Sequence, residues 1–223
     1  MRTALLTALL VLVYTFNAAA QFAIVDQMGQ PFLTKNYTDV QGSAYLYDKW
    51  MKGSMTTTSG VTFDGVELMY DQVADELVFK GEKGEAKTST QPLVEFTIKP
   101  NQKELLLQER VFRRGFVPVD GANPNTFYEV LADGETQLLK RVSKRIFEEL
   151  PYGSATKTKA FKTDVYYYIA RGGKLTRIRN DKKSVLQALH NKEAAIAAYI
   201  KVNKPDLKND AHLAELVLYY NTL

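Results

Sequence analysis

Asp71, Asp75 and Glu76 fall within six consecutive positions and form the densest acidic group of the sequence. A calcium site built from them would need six or more oxygens, usually from a Gly-containing loop with alternating acids. Here the acids flank a hairpin turn, where Asp and Glu are ordinary residues, so no metal ligand is assigned. Glu148 and Glu149 have the residue types of a glycosidase pair. Neighbouring residues of a strand point to opposite faces, however, and two such groups cannot flank one glycosidic bond. Ser43, Ser54 and Ser154 each follow a glycine, but none sits in a G-x-S-x-G elbow. His190 and His212 lack the H-E-x-x-H spacing that would place two imidazoles on one metal. The glycines of GEKGEA (81–86) have no Walker lysine after them and read as a hairpin tip. No catalytic residue, metal or cofactor is assigned, and no enzyme class is supported.

The aromatic residues carry the stronger signal. Tyr45, Tyr47 and Trp50 lie within ten residues, and Tyr166, Tyr167 and Tyr168 are consecutive. On a regular strand Val165, Tyr167 and Ile169 share one face and Tyr166 and Tyr168 the other. The first set is the natural core face, which leaves Tyr166 and Tyr168 exposed or under a second layer. Tyrosines on an exposed sheet stack on sugars and peptides; the competing role is cross-strand pairing inside the sheet. Tyr45, Tyr47, Trp50, Tyr166 and Tyr168 are therefore the candidate ligand-binding residues.

The elements that position them read mainly as strands. Val66, Leu68 and Tyr70 share one strand face while Glu67 points away, Leu77 and Phe79 share a face opposite Glu76, Val78 and Lys80, and Val94, Phe96 and Ile98 alternate with Glu95 and Thr97. Period two with one polar side marks an antiparallel sheet covering a core. Turn signals at Ser59-Gly60, Asp64-Gly65, Asp71 to Asp75 and Gly81 to Gly84 separate these runs by about ten residues. Two further hairpins are expected, 127–131 with 137–142 and 165–170 with 175–179, the latter turning at Gly172-Gly173. After Asp181, a candidate N-cap, the period changes to helical. Val185, Leu186 and Leu189 share a face, as do Ile196, Tyr199 and Ile200, and then Leu213, Leu216, Val217 and Tyr220. Pro205 interrupts, and Asp210 can cap the last helix. The expected fold is mainly β with an α+β character: antiparallel hairpins forming a sandwich, roll or partial barrel, with a short C-terminal helical segment packed on it. The expected organisation is a leader over 1–20, a β-rich domain over 21–180 and the helical segment over 181–223.

That leader reads MRTALLTALLVLVYTFNAAA. Arg2 precedes an apolar run from Ala4 to Phe16, and Ala18 and Ala20 complete the A-x-A pattern of a secretory signal peptide. The run is short for a membrane span of about 20 residues, so cleavage leaving Gln21 first is expected. Nothing after it approaches spanning length. The 223 residues are 45% hydrophobic and 24% charged, which argues against disorder and allows one or two domains. The absence of cysteine excludes thiol catalysis, thiolate metal sites and disulfides. Export into an oxidising compartment without cysteine points to a bacterial envelope protein.

Charge is uneven. Residues 21–100 carry 7 Lys, no Arg and 11 acids, a net −4, whereas 101–223 carry 21 basic and 14 acidic residues, a net +7. The basic excess is densest in RVFRRGF (110–116), KRVSKR (140–145) and RGGKLTRIRNDKK (171–183). Solvated strand faces account for such runs, as does contact with an anionic envelope surface; the export signal argues against nucleic acid.

Gly42-Ser43 with Tyr45-Leu46, Trp50 with Gly53, Asp64-Gly65-Val66 with Leu68, Tyr70-Asp71, Asp75-Glu76-Leu77 and the ending Tyr219-Tyr220-Asn221 with Leu223 form a set. This set resembles a group of secreted proteins of Bacteroidetes that has no assigned activity, over most of the mature chain. The resemblance implies a location in the periplasm, at the outer-membrane periphery or outside, and transfers no site residue. The expected function is an exported, non-enzymatic β-rich envelope protein with a structural or binding role. Its partner would be an envelope protein or glycan, with peripheral membrane contact compatible. The alternatives are a hydrolase or carbohydrate-processing enzyme with scattered carboxylates, and an accessory subunit of an envelope complex.

Overall fold

A computed structural model describes residues 28–32, 37–99, 109–150 and 156–223. The leader, Gln21 and Ser154 lie outside the described residues. Among the described residues twelve strands form a single sheet: β1 (Gly29–Pro31), β2 (Val40–Gln41), β3 (Met51–Thr57), β4 (Thr62–Asp71), β5 (Glu76–Lys80), β6 (Ala86–Ser89), β7 (Leu93–Ile98), β8 (Arg110–Arg113), β9 (Tyr128–Ala132), β10 (Thr136–Glu149), β11 (Thr158–Arg171) and β12 (Lys174–Ile178). Their spatial order is β1-β6-β5-β4-β3-β7-β8-β9-β10-β11-β12, with β2 alongside β11. Every described pairing is antiparallel except that of β2 with β11. The mainly β fold with a helical tail is thus realised as one open sheet.

In the first half, alternation alone would put Phe63 and Val66 on opposite faces, yet both are buried in the same core. Gly65 explains this. Gly53 pairs with Val66 and Ser54 with Asp64, so Gly65 is an extra residue in the ladder, held at a φ of 72°. A glycine takes that conformation without cost, and the bulge turns the strand over. A second bulge does the same in β7. Thr56 faces Glu95 while Thr57 faces Leu93, so Leu93 takes the inward place expected for Val94. The resulting core is aromatic at its centre: Phe96 and Phe112 stack with centroids 4.6 Å apart, and Phe127 meets Phe96 edge-on at 4.9 Å.

The second half is covered on both faces. On one, α1 (Lys182–Ala188), α2 (Glu193–Asn203) and α3 (Asp210–Thr222) lay Val185, Leu189, Ile196, Leu213, Leu216, Val217 and Tyr220 onto Ala132, Leu138, Ile169 and Ile178. Short helices are marginal alone, so this burial is what holds them. Asp181 caps α1 as expected, accepting from Ser184 N at 2.8 Å. The cap of α3 is Asn209 rather than Asp210: Asn209 Oδ1 accepts from Ala211 N and His212 N. Asp210 is drawn to the sheet instead, where its carboxylate accepts from the Tyr167 hydroxyl and Lys140 Nζ. On the other face Tyr128, Leu139, Tyr168 and Ala170 form a smaller cluster under Phe116, Val119 and Ala122.

β10 and β11 are much longer than the hairpins expected for 137–142 and 165–170. They pair continuously from Thr136↔Arg171 to Glu149↔Thr158 and form a two-stranded arm. Its outer half carries exposed Ile146 and Phe147. Charged residues on both faces hid it from the period-two pattern.

Candidate functional site

The structure separates the candidate aromatics into two groups. Tyr45, Tyr47 and Trp50 are all half-buried beside the first core; Tyr47 packs on that core and lies under the Arg110 guanidinium, 6.0 Å from its ring centroid. Burial first, and the nearby Asp71 second, push the Tyr45 hydroxyl above its ordinary pKa. Tyr166 and Tyr168 lie on the opposite side of β11 from Tyr167, as alternation requires, and that side is covered by a second layer. Tyr168 is completely buried, meeting Tyr128 edge-on at 5.5 Å and donating to Asp120 Oδ2 at 3.2 Å. It is a packing residue and is out of reach of a ligand. Tyr166 is half-buried beneath the guanidinium of Arg177, 4.2 Å from its ring centroid. Tyr167 faces the helices and donates to Asp210 Oδ1 at 2.7 Å.

The acidic group at the β4–β5 turn is structural. Asp71, wholly buried, accepts from Val73 N, Ala74 N and the Tyr37 hydroxyl. Asp75 Oδ1 accepts from the Tyr70 hydroxyl at 2.6 Å and from Phe127 N at 3.3 Å. These bonds fix the turn against the start of β9. Glu148 and Glu149 point to opposite faces of β10.

Two of the basic runs are also largely spent. Arg110 makes a fork with Glu129 at 2.6 and 2.7 Å, and Arg113 reaches Glu95 and Asp133. In the second run Lys144 donates to the carbonyls of Ser43 and Tyr45, while burial pulls its pKa down.

The third run builds a site. β11 and β12 turn through Gly172 and Gly173, both with positive φ (54° and 73°). Two consecutive positive φ values are the two-residue turn that glycine pairs favour. The turn sets Arg171 opposite Lys174 and Ile169 opposite Thr176, so all four project from the helix-bearing face. The link between α1 and α2 faces them with His190 and Asn191. Between lies a hollow of about 400 Å³ whose walls include Arg171, Lys174, Thr176, His190 and Asn191 and no carboxylate. Arg171 Nη1 donates to the Tyr220 hydroxyl, which anchors the guanidinium on α3. Among the described residues no carboxylate is paired with Arg171 or Lys174. The Asn191 amide is itself engaged, its oxygen accepting from the Arg171 guanidinium and its nitrogen donating to His190 Nε2. The hollow therefore offers an oxyanion chiefly the charges of Arg171 and Lys174 and the hydroxyl of Thr176. Sequence reasoning singled out the run 171–183 but not this hollow, because His190 and Asn191 come from a different element. A hollow of about 250 Å³ on the other side of the turn shares Arg171 and Lys174 but contains Glu135.

Among the described residues no helix is long and apolar enough to cross a membrane. Comparison of the chain with known protein families, curated proteins and solved structures gives no match.

Proposed function

We propose that this chain is an exported, non-enzymatic β-rich protein of the cell envelope that binds a phosphate- or carboxylate-bearing envelope group. The observation that carries this reading is the hollow beside Arg171, with two cations and a hydroxyl and no acid in its walls. The leader-like residues 1–20 and the net +7 of residues 101–223 support it from the sequence. Polyanionic glycans and anionic lipid headgroups present the same oxyanions, and both occur in an envelope.

Titration calorimetry of the purified protein tests the site with three probes: pyrophosphate, polygalacturonate, and vesicles of phosphatidylglycerol against phosphatidylcholine. Binding is expected to weaken with salt, as contacts with exposed charges do. Lys174 is exposed, so Lys174→Glu leaves the fold intact and weakens binding at least tenfold. Vesicle binding without glycan binding assigns the headgroup; the converse assigns the glycan. No binding of any probe at low salt, or binding indifferent to Lys174→Glu, overturns the reading. Export is tested separately by N-terminal mass spectrometry of native protein. A start at Gln21 is expected, and Met1 on the bulk of the protein overturns it.

A further inference from the structure

The outer half of β10 has an unused edge. β9 pairs with β10 only at Leu138, Leu139 and Lys140, and beyond them Lys144 N donates to Gln72 O. From Arg145 to Glu149 no described strand pairs with that edge. Natural sheets guard such edges with charge, proline or cover. Here the edge instead carries Ile146 and Phe147, each more than two-fifths exposed, between two bases and two acids: Lys144, Arg145, Ile146, Phe147, Glu148, Glu149.

We propose that two copies of this chain associate by antiparallel pairing of their β10 edges about a two-fold axis at Phe147. The bases of this segment precede its acids, so an antiparallel copy sets base against acid at Arg145. Pairing about Phe147 sets Arg145 opposite the partner's Glu149, and Phe147 opposite the partner's Phe147. The backbone agrees. Because Lys144 N points outward to Gln72, alternation points Ile146 and Glu148 outward as well, and these two exchange hydrogen bonds with the partner's Glu148 and Ile146. Arg145 and Phe147 then fall at the closely spaced, non-hydrogen-bonded positions, where cross-strand side chains interact best.

Neighbouring registers fail on the same residues. Centring on Ile146 requires the Lys144 N–H and side chain, already given to Gln72, Ser43 and Tyr45. Centring on Glu148 sets that glutamate against its own copy. In the chosen register Arg145 keeps its bond to Asp164 through Nε and has both Nη groups left for the partner's Glu149.

The absence of cysteine allows a direct test. Phe147→Cys places two thiols across the two-fold axis at a spacing that a disulfide spans, whereas Ile146→Cys points to the other face opposite a glutamate. Under mild oxidant Phe147→Cys is expected to give a covalent dimer at least tenfold faster than Ile146→Cys. In sedimentation equilibrium the unmodified protein is expected to show a monomer–dimer equilibrium. Arg145→Glu and Glu149→Arg each weaken it at least tenfold, and the double exchange restores it. Thermal melts of the variants, read alongside, show that the monomer fold is intact. A protein that stays monomeric as concentration is raised, equal cross-linking at both positions, or no rescue by the double exchange overturns the proposal. Pairing of this edge with a different protein gives the first of those results. Lys174→Glu lies outside this edge and leaves the dimer unchanged, so this proposal and the anion site fail separately.

Discussion

The side chain of Asn221 pairs with the backbone of Thr136 as a strand would: its Oδ1 accepts from Thr136 N at 3.1 Å and its Nδ2 donates to Thr136 O at 2.8 Å. Thr136 opens β10 and is buried, and Asn221 closes α3. One amide thus fastens the C-terminal helix to the root of the arm, and Gly134 leaves it room, since a Cβ there would come within 2.5 Å of Nδ2.

Removing that amide strands two buried backbone groups. Each unsatisfied group costs about 1–3 kcal/mol before water relieves it, so Asn221→Ala is expected to destabilise by at least about 1 kcal/mol. Asn221→Asp keeps the acceptor but turns a second oxygen toward the Thr136 carbonyl, and it should be no better. Urea unfolding measures both; a midpoint unchanged in either variant contradicts the docking role.

Gly53 and Gly65 sit close together on paired strands and are needed for different reasons. A Cβ on Gly53 would meet the Thr97 carbonyl oxygen at 2.0 Å and Leu68 Cδ1 at 2.7 Å, whereas one on Gly65 meets nothing within 4 Å. Gly53→Ala must push β3 away from β7, an overpacking cost of about 1–3 kcal/mol or more. Gly65→Ala suffers only the left-handed backbone, about 1–2 kcal/mol. Thermal melts should rank Gly53→Ala as the less stable variant, and the reverse order would mean that the strands separate easily.

Hydrophobic period explains what was legible in the sequence. The strands around Leu68, Phe79 and Phe96 and the helical face of Leu213, Leu216, Val217 and Tyr220 bury one side only, so their patterns survive in one dimension. Bulges break the pattern by a single residue, which is why Leu93 replaced Val94 in the core. The arm escaped because neither face of 143–149 lies on a core. Covering by a non-adjacent segment is also silent in local sequence: Phe116 and Val119 sit over Tyr168's cluster from about fifty residues away. The hollow at Arg171 was half legible, since its cations flank one hairpin turn and its remaining wall arrives from the link between α1 and α2.

Two tyrosines report on the packing through their titration. Burial, reinforced by the hydrogen bond and charge of Asp210, pushes Tyr167 up to about 12. Burial and the charge of Asp120 do the same to Tyr168. In the unfolded chain both ionise near 10. Below that pH both states hold the protons and nothing is lost. As pH rises from about 10 to 12, the unfolded chain releases protons that the folded one keeps, so stability falls across that window. Burial also pushes up the hydroxyls of Tyr37, Tyr45, Tyr70 and Tyr128. Ultraviolet titration of the folded protein should therefore show these four, with Tyr167 and Tyr168, ionising later than an ordinary tyrosine among the 13 of the sequence, and Tyr168→Phe should remove one. Ionisation of every tyrosine near 10 without unfolding would contradict the buried hydroxyls.

The three consecutive tyrosines of β11 should respond unequally to truncation. Tyr168 is fully enclosed by Tyr128, Leu139 and the segment above them, so Tyr168→Ala opens a ring-sized cavity and should cost about 3–5 kcal/mol. Tyr167 is half-buried against the helical core, and Tyr167→Ala should cost less than Tyr168→Ala. Tyr167→Phe isolates the hydroxyl bond to Asp210 at about 1.5–3 kcal/mol, since its acceptor is charged. Tyr166 packs at the margin of the Tyr168 cluster, only partly buried, and carries the guanidinium of Arg177 over its ring. Such a contact is worth about 0.5–1 kcal/mol, so Tyr166→Ala should be the mildest of the alanine variants. Equilibrium denaturation of the four variants gives the ranking Tyr168→Ala, Tyr167→Ala, Tyr166→Ala from most to least damaging. If Tyr166→Ala were as costly as Tyr168→Ala, both rings would have to be enclosed alike. The loop carrying Phe116 and Val119 would then close over the whole face instead of over Tyr168 and its neighbours.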